Sequence, residues 1–312
     1  MTLTRGFIRN AVTTPLDARL MDMAQIVDNS DGSPRPGLLD GDGRAIVTAL
    51  ATMDVAVAAA DFVTTKGTAD GVAIFTNDGT VNVAITAAPA SNSRIDVVWV
   101  RHQDNTTGDG ASTPIFGVTA GVAAASPTKP AIPTGALELA TIRVYAGTTA
   151  TNGGANVTTN TYQMTASRGG IVPFRTVAEI NAWTNPRNGQ RAVAIDTGRT
   201  ALRVAGAWVF DDTGDLALTT GAGYTQTQAA TCRVRGGMVS MNGRLDVASP
   251  GTTSAFTLPV GARPSATRVT QIMRGSAFET VVIGTDGLVQ LLNLTLPQTD
   301  YRLASIPPFP AA

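Results

Sequence analysis

Short apolar runs bounded by Gly, Asn and Asp recur along most of the chain, and that pattern predicts strands joined by turns. Val72-Ala73-Ile74-Phe75 and Val81-Asn82-Val83-Ala84-Ile85 flank Asn77-Asp78-Gly79, which reads as a hairpin turn because glycine accepts positive φ. Arg94-Ile95-Asp96-Val97-Val98-Trp99-Val100-Arg101 predicts a strand with charged ends and a continuous apolar centre. A polar loop (103–112) and a proline-rich connection (126–133) lead to another strand from Leu137 to Tyr145. Further on, strands are expected from Arg191 to Asp196, Ala201 to Val204, Met238 to Val247, Arg268 to Arg274, Val281 to Ile283 and Leu288 to Leu294. Thr285-Asp286-Gly287 supplies the turn between the last two, and Ile306-Pro307-Pro308-Phe309-Pro310 cannot be a central strand because proline lacks a ladder donor.

Helical spacing is rare. Thr14-Pro15 places a capping hydroxyl before a proline at the first helical position, and Asp17 follows in the first turn. Leu16, Leu20, Met23 and Val27 then form one apolar face, and 28–34 ends the element. Such a stripe can dock on another molecule, but packing on its own domain is the commoner role. Thr176-Val177-Ala178-Glu179 reads as a capping box for a short helix through Trp183, stopped by Asn185-Pro186.

These patterns predict an all-β chain of consecutive β-sandwich-like domains with a short N-terminal helix and a small connecting module. The expected divisions are an N-terminal arm and helix (1–43), a shoulder domain (44–165), the module (166–221) and a C-terminal tip domain (222–312). No fixed period appears, so a solenoid is not expected.

Composition sharpens this picture. With only three Glu and two Lys in 312 residues but 32 Gly, the chain lacks the residues that build helix surfaces. Equal numbers of basic and acidic side chains, 23 of each, remove the long-range attraction used by nucleic-acid and anionic-membrane binders, so neither partner is expected. No apolar run approaches the roughly 18 residues of a membrane span, so no membrane insertion is expected. The first residues lack a basic stretch followed by an apolar one, so synthesis in the cytosol is expected, with any exit by assembly or lysis.

One Cys and one His exclude an intrachain disulfide framework and a Cys/His zinc cluster. No cofactor or metal is expected. His102 is the sole imidazole, no Gly-x-Ser-x-Gly elbow accompanies it, and its place after a strand predicts a surface loop residue. Cys232 beside Arg233 is expected to be a small buried hydrophobe. Asp211, Asp212 and Asp215, or Asp40 and Asp42, are the carboxylates a polysaccharide hydrolase would need, but their Asp-Gly surroundings predict turns. The expectation is a protein that is not an enzyme.

Three segments resemble bacteriophage tail-appendage proteins, the baseplate, tail-fibre and minor tail proteins that carry receptor-binding modules. Arg94 to Arg101, with its Arg-Ile-Asp start, is followed by Pro133-Thr134-Gly135-Ala136-Leu137-Glu138-Leu139-Ala140, as in that family's N-terminal or shoulder domain. Gly189 to Thr197 with Gly206-Ala207-Trp208-Val209 is similar to a connecting module of phage fibres. Gly237 to Gly243, Leu258 to Pro264 and Val281 to Val289 follow the order of a fibre-tip β-sandwich. The resemblance implies a virion tail-tip protein, made as a homotrimer, fixed to other tail or baseplate proteins through its N-terminal region and reaching the host surface with its C-terminal domain. An architectural minor tail protein that anchors another adhesin is the alternative.

Two physical readings bear on that trimer. Val97 to Val100 and Val281 to Ile283 are apolar on both faces, so either identical chains cover one face or the strands are central in an ordinary sandwich. If the tip binds a host-surface saccharide, an aromatic face is needed under the sugar ring. Tyr224 and Tyr301 are the expected ligand-binding residues, because a phenol tolerates one wet edge, whereas Phe256 is expected in the core. Trp183 and Trp208 are expected to anchor the middle module.

Overall fold

A computed structural model describes residues 13–39, 41–248, 254–292 and 298–312. It is all-β and sandwich-like, with α-helix confined to α1 (Pro15–Met23) and α2 (Val177–Ala182). Contacts divide the chain into two units, 1–209 and 210–312. The expected polar arm before α1 falls largely on residues 1–12, outside the described residues, as do Asp40 and the end of the strand expected from Leu288 to Leu294.

The first unit opens with the expected Thr14 cap, which Asp17 closes into a full capping box: Thr14 Oγ1 accepts from the Asp17 amide, and Asp17 Oδ2 accepts from the Thr14 amide. The helix is shorter than its apolar stripe, since Val27 lies beyond it and is buried. α1 rests on its own unit. Six strands follow: β1 (Gly37–Leu38), β2 (Val47–Ala49), β3 (Asp54–Val57), β4 (Ala60–Gly67), β5 (Gly71–Asn77) and β6 (Val81–Ala84). They form two antiparallel sheets, β1-β4-β5 and β2-β3-β6. The hairpin expected around Asn77-Asp78-Gly79 is therefore not one. β5 pairs with β4 and β6 with β3, so the turn carries the chain from one sheet to the other, while Asn77 Nδ2 donates to the Ala58 and Gly79 carbonyls. Gly71 is required where β5 starts: its φ is +72°, and an added Cβ would lie 2.5 Å from the Arg19 carbonyl oxygen of α1.

Strands β7 (Ser93–His102), β8 (Pro114–Thr119), β9 (Leu137–Tyr145) and β10 (Val157–Asn160) form a sheet in the order β10-β9-β7-β8. Val97 and Val98 are both fully buried within the chain, so β7 is a central strand and its apolar faces need no second copy. The Arg-Ile-Asp start of β7 is a clamp. Arg94 Nε reaches both oxygens of fully buried Asp96 at 2.8 and 3.0 Å, its terminal nitrogens donate to the Thr86 and Ala87 carbonyls, and Asp96 accepts from the Gly121 amide. A buried pair satisfied on every side in this way holds the incoming 86–87 segment and the outgoing Gly121 to one strand. Leu38, Phe62, Val98, Leu139, Ile142, Tyr162 and Met164 belong to the core packed against these sheets.

β11 (Ile171–Phe174), β12 (Arg191–Ala194), β13 (Arg199–Val204) and β14 (Ala207–Phe210) form a fourth sheet in chain order, with β11 and β12 parallel. α2 packs on β11 and β12. Its cap is half of the expected box: Thr176 accepts from the Glu179 amide, but the Glu179 carboxylate accepts from the Arg175 amide instead of the Thr176 one. Trp183 and Trp208 do anchor this part, with ring centroids 5.8 Å apart and Trp208 Nε1 donating to the Trp183 carbonyl.

The second unit contains β15 (Leu216–Ala217), β16 (Tyr224–Arg235), β17 (Met238–Val247), β18 (Phe256–Thr257), β19 (Arg268–Arg274), β20 (Ala277–Ile283), β21 (Leu288–Leu291), β22 (Gln298–Arg302) and β23 (Phe309–Pro310). They make one sheet ordered β15-β16-β17-β22-β19-β20-β21-β18, with β23 on β17. The sheet curls until Phe256 of β18 bridges Thr220, just past β15. Because β15 is hydrogen-bonded to β16, the unit begins at 210, and the boundary expected at 222 is too late. The Asp286-Gly287 hairpin joins β20 to β21 as predicted, and Val281 and Ile283 are buried inside the curl. β16, whose Thr-Gln-Thr-Gln start carries no apolar alternation, was not anticipated by pattern.

Candidate functional site

The expected saccharide platform is not on the surface. Tyr224 is 6% and Tyr301 0% exposed, and both belong to the core of the second unit with Phe256, Leu245 and Phe309. Tyr301 lies opposite Leu245, so the strand's two-residue period turns its ring inward. Burial pushes its phenol up to about 12, and its hydroxyl has no hydrogen-bond partner among the described residues. Neither phenol offers the wet edge a sugar would need.

The candidates for catalysis are placed as follows. Cys232 is buried, and burial pushes its thiol above the usual range, which disfavours the thiolate a nucleophile requires. Asp212 receives Arg233 through Nε at 2.8 Å and through a terminal nitrogen at 2.5 Å, and it also accepts from the Gly214 amide. The Arg233 hydrogen bond is the main cause holding its carboxyl down to about 2, the wrong direction for a proton donor at neutral pH. Asp42 accepts from the Arg44 amide, the short-range turn its surroundings predict.

His102 is not a surface loop residue. It ends β7 and is buried, because α1 and the loop after β7 close over it. Its Nδ1 lies 2.9 Å from Thr64 Oγ1 and its Nε2 lies 3.4 Å from Asp70 Oδ2. Arg19 of α1 bridges Asp70 and Asp104, at 2.7 Å to each, while Lys66 bonds Asp109. Burial is the main cause lowering the imidazole pKa, with Lys66 and Arg19 adding to it and Asp70 opposing it. Thr64 is fully buried, so this Thr-His-Asp alignment presents no reachable nucleophile; it ties α1 to β4 and β7.

A cleft of about 430 Å³ lies in the first unit. Arg35, between Pro34 and Pro36, lines it. Its guanidinium lies 4.3 Å from the Trp183 ring centroid and 5.0 Å from that of Phe174, and Nε donates to the Met164 carbonyl at 2.9 Å. Arg175, at the end of the β11 connection into α2, stacks 4.2 Å from the Tyr162 ring centroid, and one terminal nitrogen contacts Glu179 at 3.3 Å. Its other terminal nitrogen is buried and has no hydrogen-bond partner among the described residues. Trp183 is fixed by its own Nε1, which donates to Asn29 Oδ1. Burial lowers the Arg35 pKa to about 10, with Glu179 opposing the shift. The residues come from three separate stretches of chain, 29–36, 161–164 and 174–185, so no motif or spacing in the sequence pointed to them.

Among the described residues no helix is long and apolar enough to cross a membrane, and no group of three or more His, Cys, Asp or Glu is placed to hold a metal ion. No family model matches the chain, and no curated protein matches it. Among solved structures, the receptor binding protein gp15 of Listeria phage PSA is similar over 30% of this chain, at 16% identity and a TM-score of 0.27. The matched region spans 63% of that protein, and at this level of likeness the two folds are not shown to be the same.

Proposed function

We propose that this chain is a subunit of a bacteriophage tail appendage, homotrimeric and non-enzymatic, attached to the tail tip or baseplate through its N-terminal region and to the host surface through its second unit. The observation that carries the reading is the order of the three resembling segments on built strands. The Arg-Ile-Asp and Pro-x-Gly-Ala-Leu segments are neighbours in one sheet as β7 and the approach to β9. The Gly-Ala-Trp segment is the start of β14, and the third set runs through β17 and the β20–β21 hairpin. Support for the oligomer comes from β11 to β14, whose face away from α2 leaves Ile171, Leu202, Val204 and Val209 exposed. A surface of that kind is covered in symmetric assemblies.

The test is a phage carrying a truncation of residues 210–312, the whole second unit, since cutting at 222 would strand β15. Attachment through that unit predicts particles that assemble and fail to adsorb. Normal adsorption would transfer the reading to the architectural role, an anchor for another adhesin. The mass of the purified protein in solution checks the trimer, and shortening of host polysaccharide by pure protein would overturn the non-enzymatic reading.

A further inference from the structure

The cleft between Arg35 and Arg175 holds more positive charge than its surroundings use. Two guanidinium groups and one carboxylate, Glu179, line it, which leaves one net positive charge. Glu179 is engaged by Arg175 through both its side chain and its backbone amide. No described carboxylate lies in hydrogen-bond reach of Arg35, whose one side-chain hydrogen bond among the described residues is the Nε contact to the Met164 carbonyl. Its terminal nitrogens are left for the cleft the residue lines. A buried guanidinium without an ion partner is expensive, and ring stacking offsets only part of that cost. An oxyanion seated in the cleft that both arginines line would supply that partner, because the planar guanidinium fork matches carboxylate and phosphate oxygens.

The rest of the lining says what the anion is attached to. Thr161, Gln163, Thr184 and Asn185 surround the two arginines with hydroxyls and amides. This is the chemistry that recognises a polyhydroxylated body. The volume lies in the lower part of the roughly 300–1,000 Å³ range of small-molecule sites, which admits one sugar or polyol unit and not a long chain segment.

We propose that this cleft binds an oxyanion-bearing sugar or polyol unit, with Arg35 and Arg175 clamping the anionic group and the surrounding amides and hydroxyls meeting the hydroxyls. The site is in the first unit and does not depend on the attachment assigned to the second. Removing residues 210–312 and altering the cleft are therefore separate perturbations.

Calorimetric titration of the full chain with glucuronate, glycerol phosphate, inorganic phosphate and glucose tests it. The expected result is millimolar or tighter binding of glucuronate or glycerol phosphate, and no detectable binding of glucose. Glucuronate alone marks the group as a carboxylate, and glycerol phosphate alone marks it as a phosphate. Arg175→Gln is expected to weaken binding at least tenfold, whereas Arg244→Gln, a charge change in the second unit, leaves it unaltered. Arg35→Met should act likewise; if it unfolds, Arg175→Gln at an unchanged melting temperature decides. Absence of binding by every anion, glucose binding as tightly as glucuronate, or full affinity in a folded Arg175→Gln protein would each overturn the proposal.

Discussion

Gly71→Ala should loosen α1 from the first unit. Gly71 sits at φ +72°, and a Cβ there would lie 2.5 Å from the Arg19 oxygen, 2.6 Å from the Arg19 carbonyl carbon and 2.8 Å from the Leu20 nitrogen. All three are backbone atoms of a helix, so no side chain can swing away. The left-handed conformation costs a non-glycine residue about 1–2 kcal/mol. Forcing a methyl into packed backbone adds about 1–3 kcal/mol. The sum, about 2–5 kcal/mol, is capped by the free energy with which α1 is held, because the helix can lift off as a body. Lifting it also withdraws Arg19 from Asp70 and Asp104, leaving Asp70 beside buried His102 without its cation. Two readouts separate these routes. Differential scanning calorimetry should show a fall of at least about 4 °C if the strain is carried by the whole unit. Hydrogen exchange at the amides of Ala18 to Gln25 should accelerate if α1 detaches locally. Gly79→Ala is the control, since its φ is not positive and nothing lies within 4 Å of the added atom. There the change should be neutral or stabilising by about 0.4–1 kcal/mol. Unchanged melting and unchanged exchange in Gly71→Ala would refute the packing argument.

Two predictions concern pH. His102 has a folded-state pKa below its unfolded one, mainly through burial, so the native state binds fewer protons. That stability is fully present above about pH 6.5 and is lost as pH falls below it; denaturant melts of the wild type should show this slope, and His102→Asn should flatten it. Asp212 is held down to about 2, mainly by its Arg233 hydrogen bond, so its contribution is present above about pH 4 and disappears as pH drops toward 2. Asp212→Asn should remove that dependence while changing neutral-pH secondary structure little, as read by far-UV circular dichroism.

The sequence by itself determined whatever rests on neighbours along the chain. The Thr14–Asp17 cap closes over three residues, and β9, β17 and β19 end where their alternation meets turn residues, because strand and helix periods are local properties. Composition settled the all-β class for the same reason, since scarce Glu and Lys leave few positions able to build a helix surface. Partner choice was different. Asn77-Asp78-Gly79 turns the chain whether or not its flanking strands pair, and only the competition of β4 and β3 for those strands makes it a crossing between sheets. The Thr225 to Gln228 start of β16 is a strand because β17 hydrogen-bonds to it, not because its own residues alternate, whereas Ala230, Cys232 and Val234 further on do. Tyr301 faces inward through its register against Leu245, and His102 is buried because α1, some eighty residues earlier, closes over the end of β7. The Arg35–Arg175 cleft shows the limit most plainly: its walls come from stretches that meet only when the sheets pack. Long-range burial, and the charge it leaves without a partner, belong to the tertiary structure.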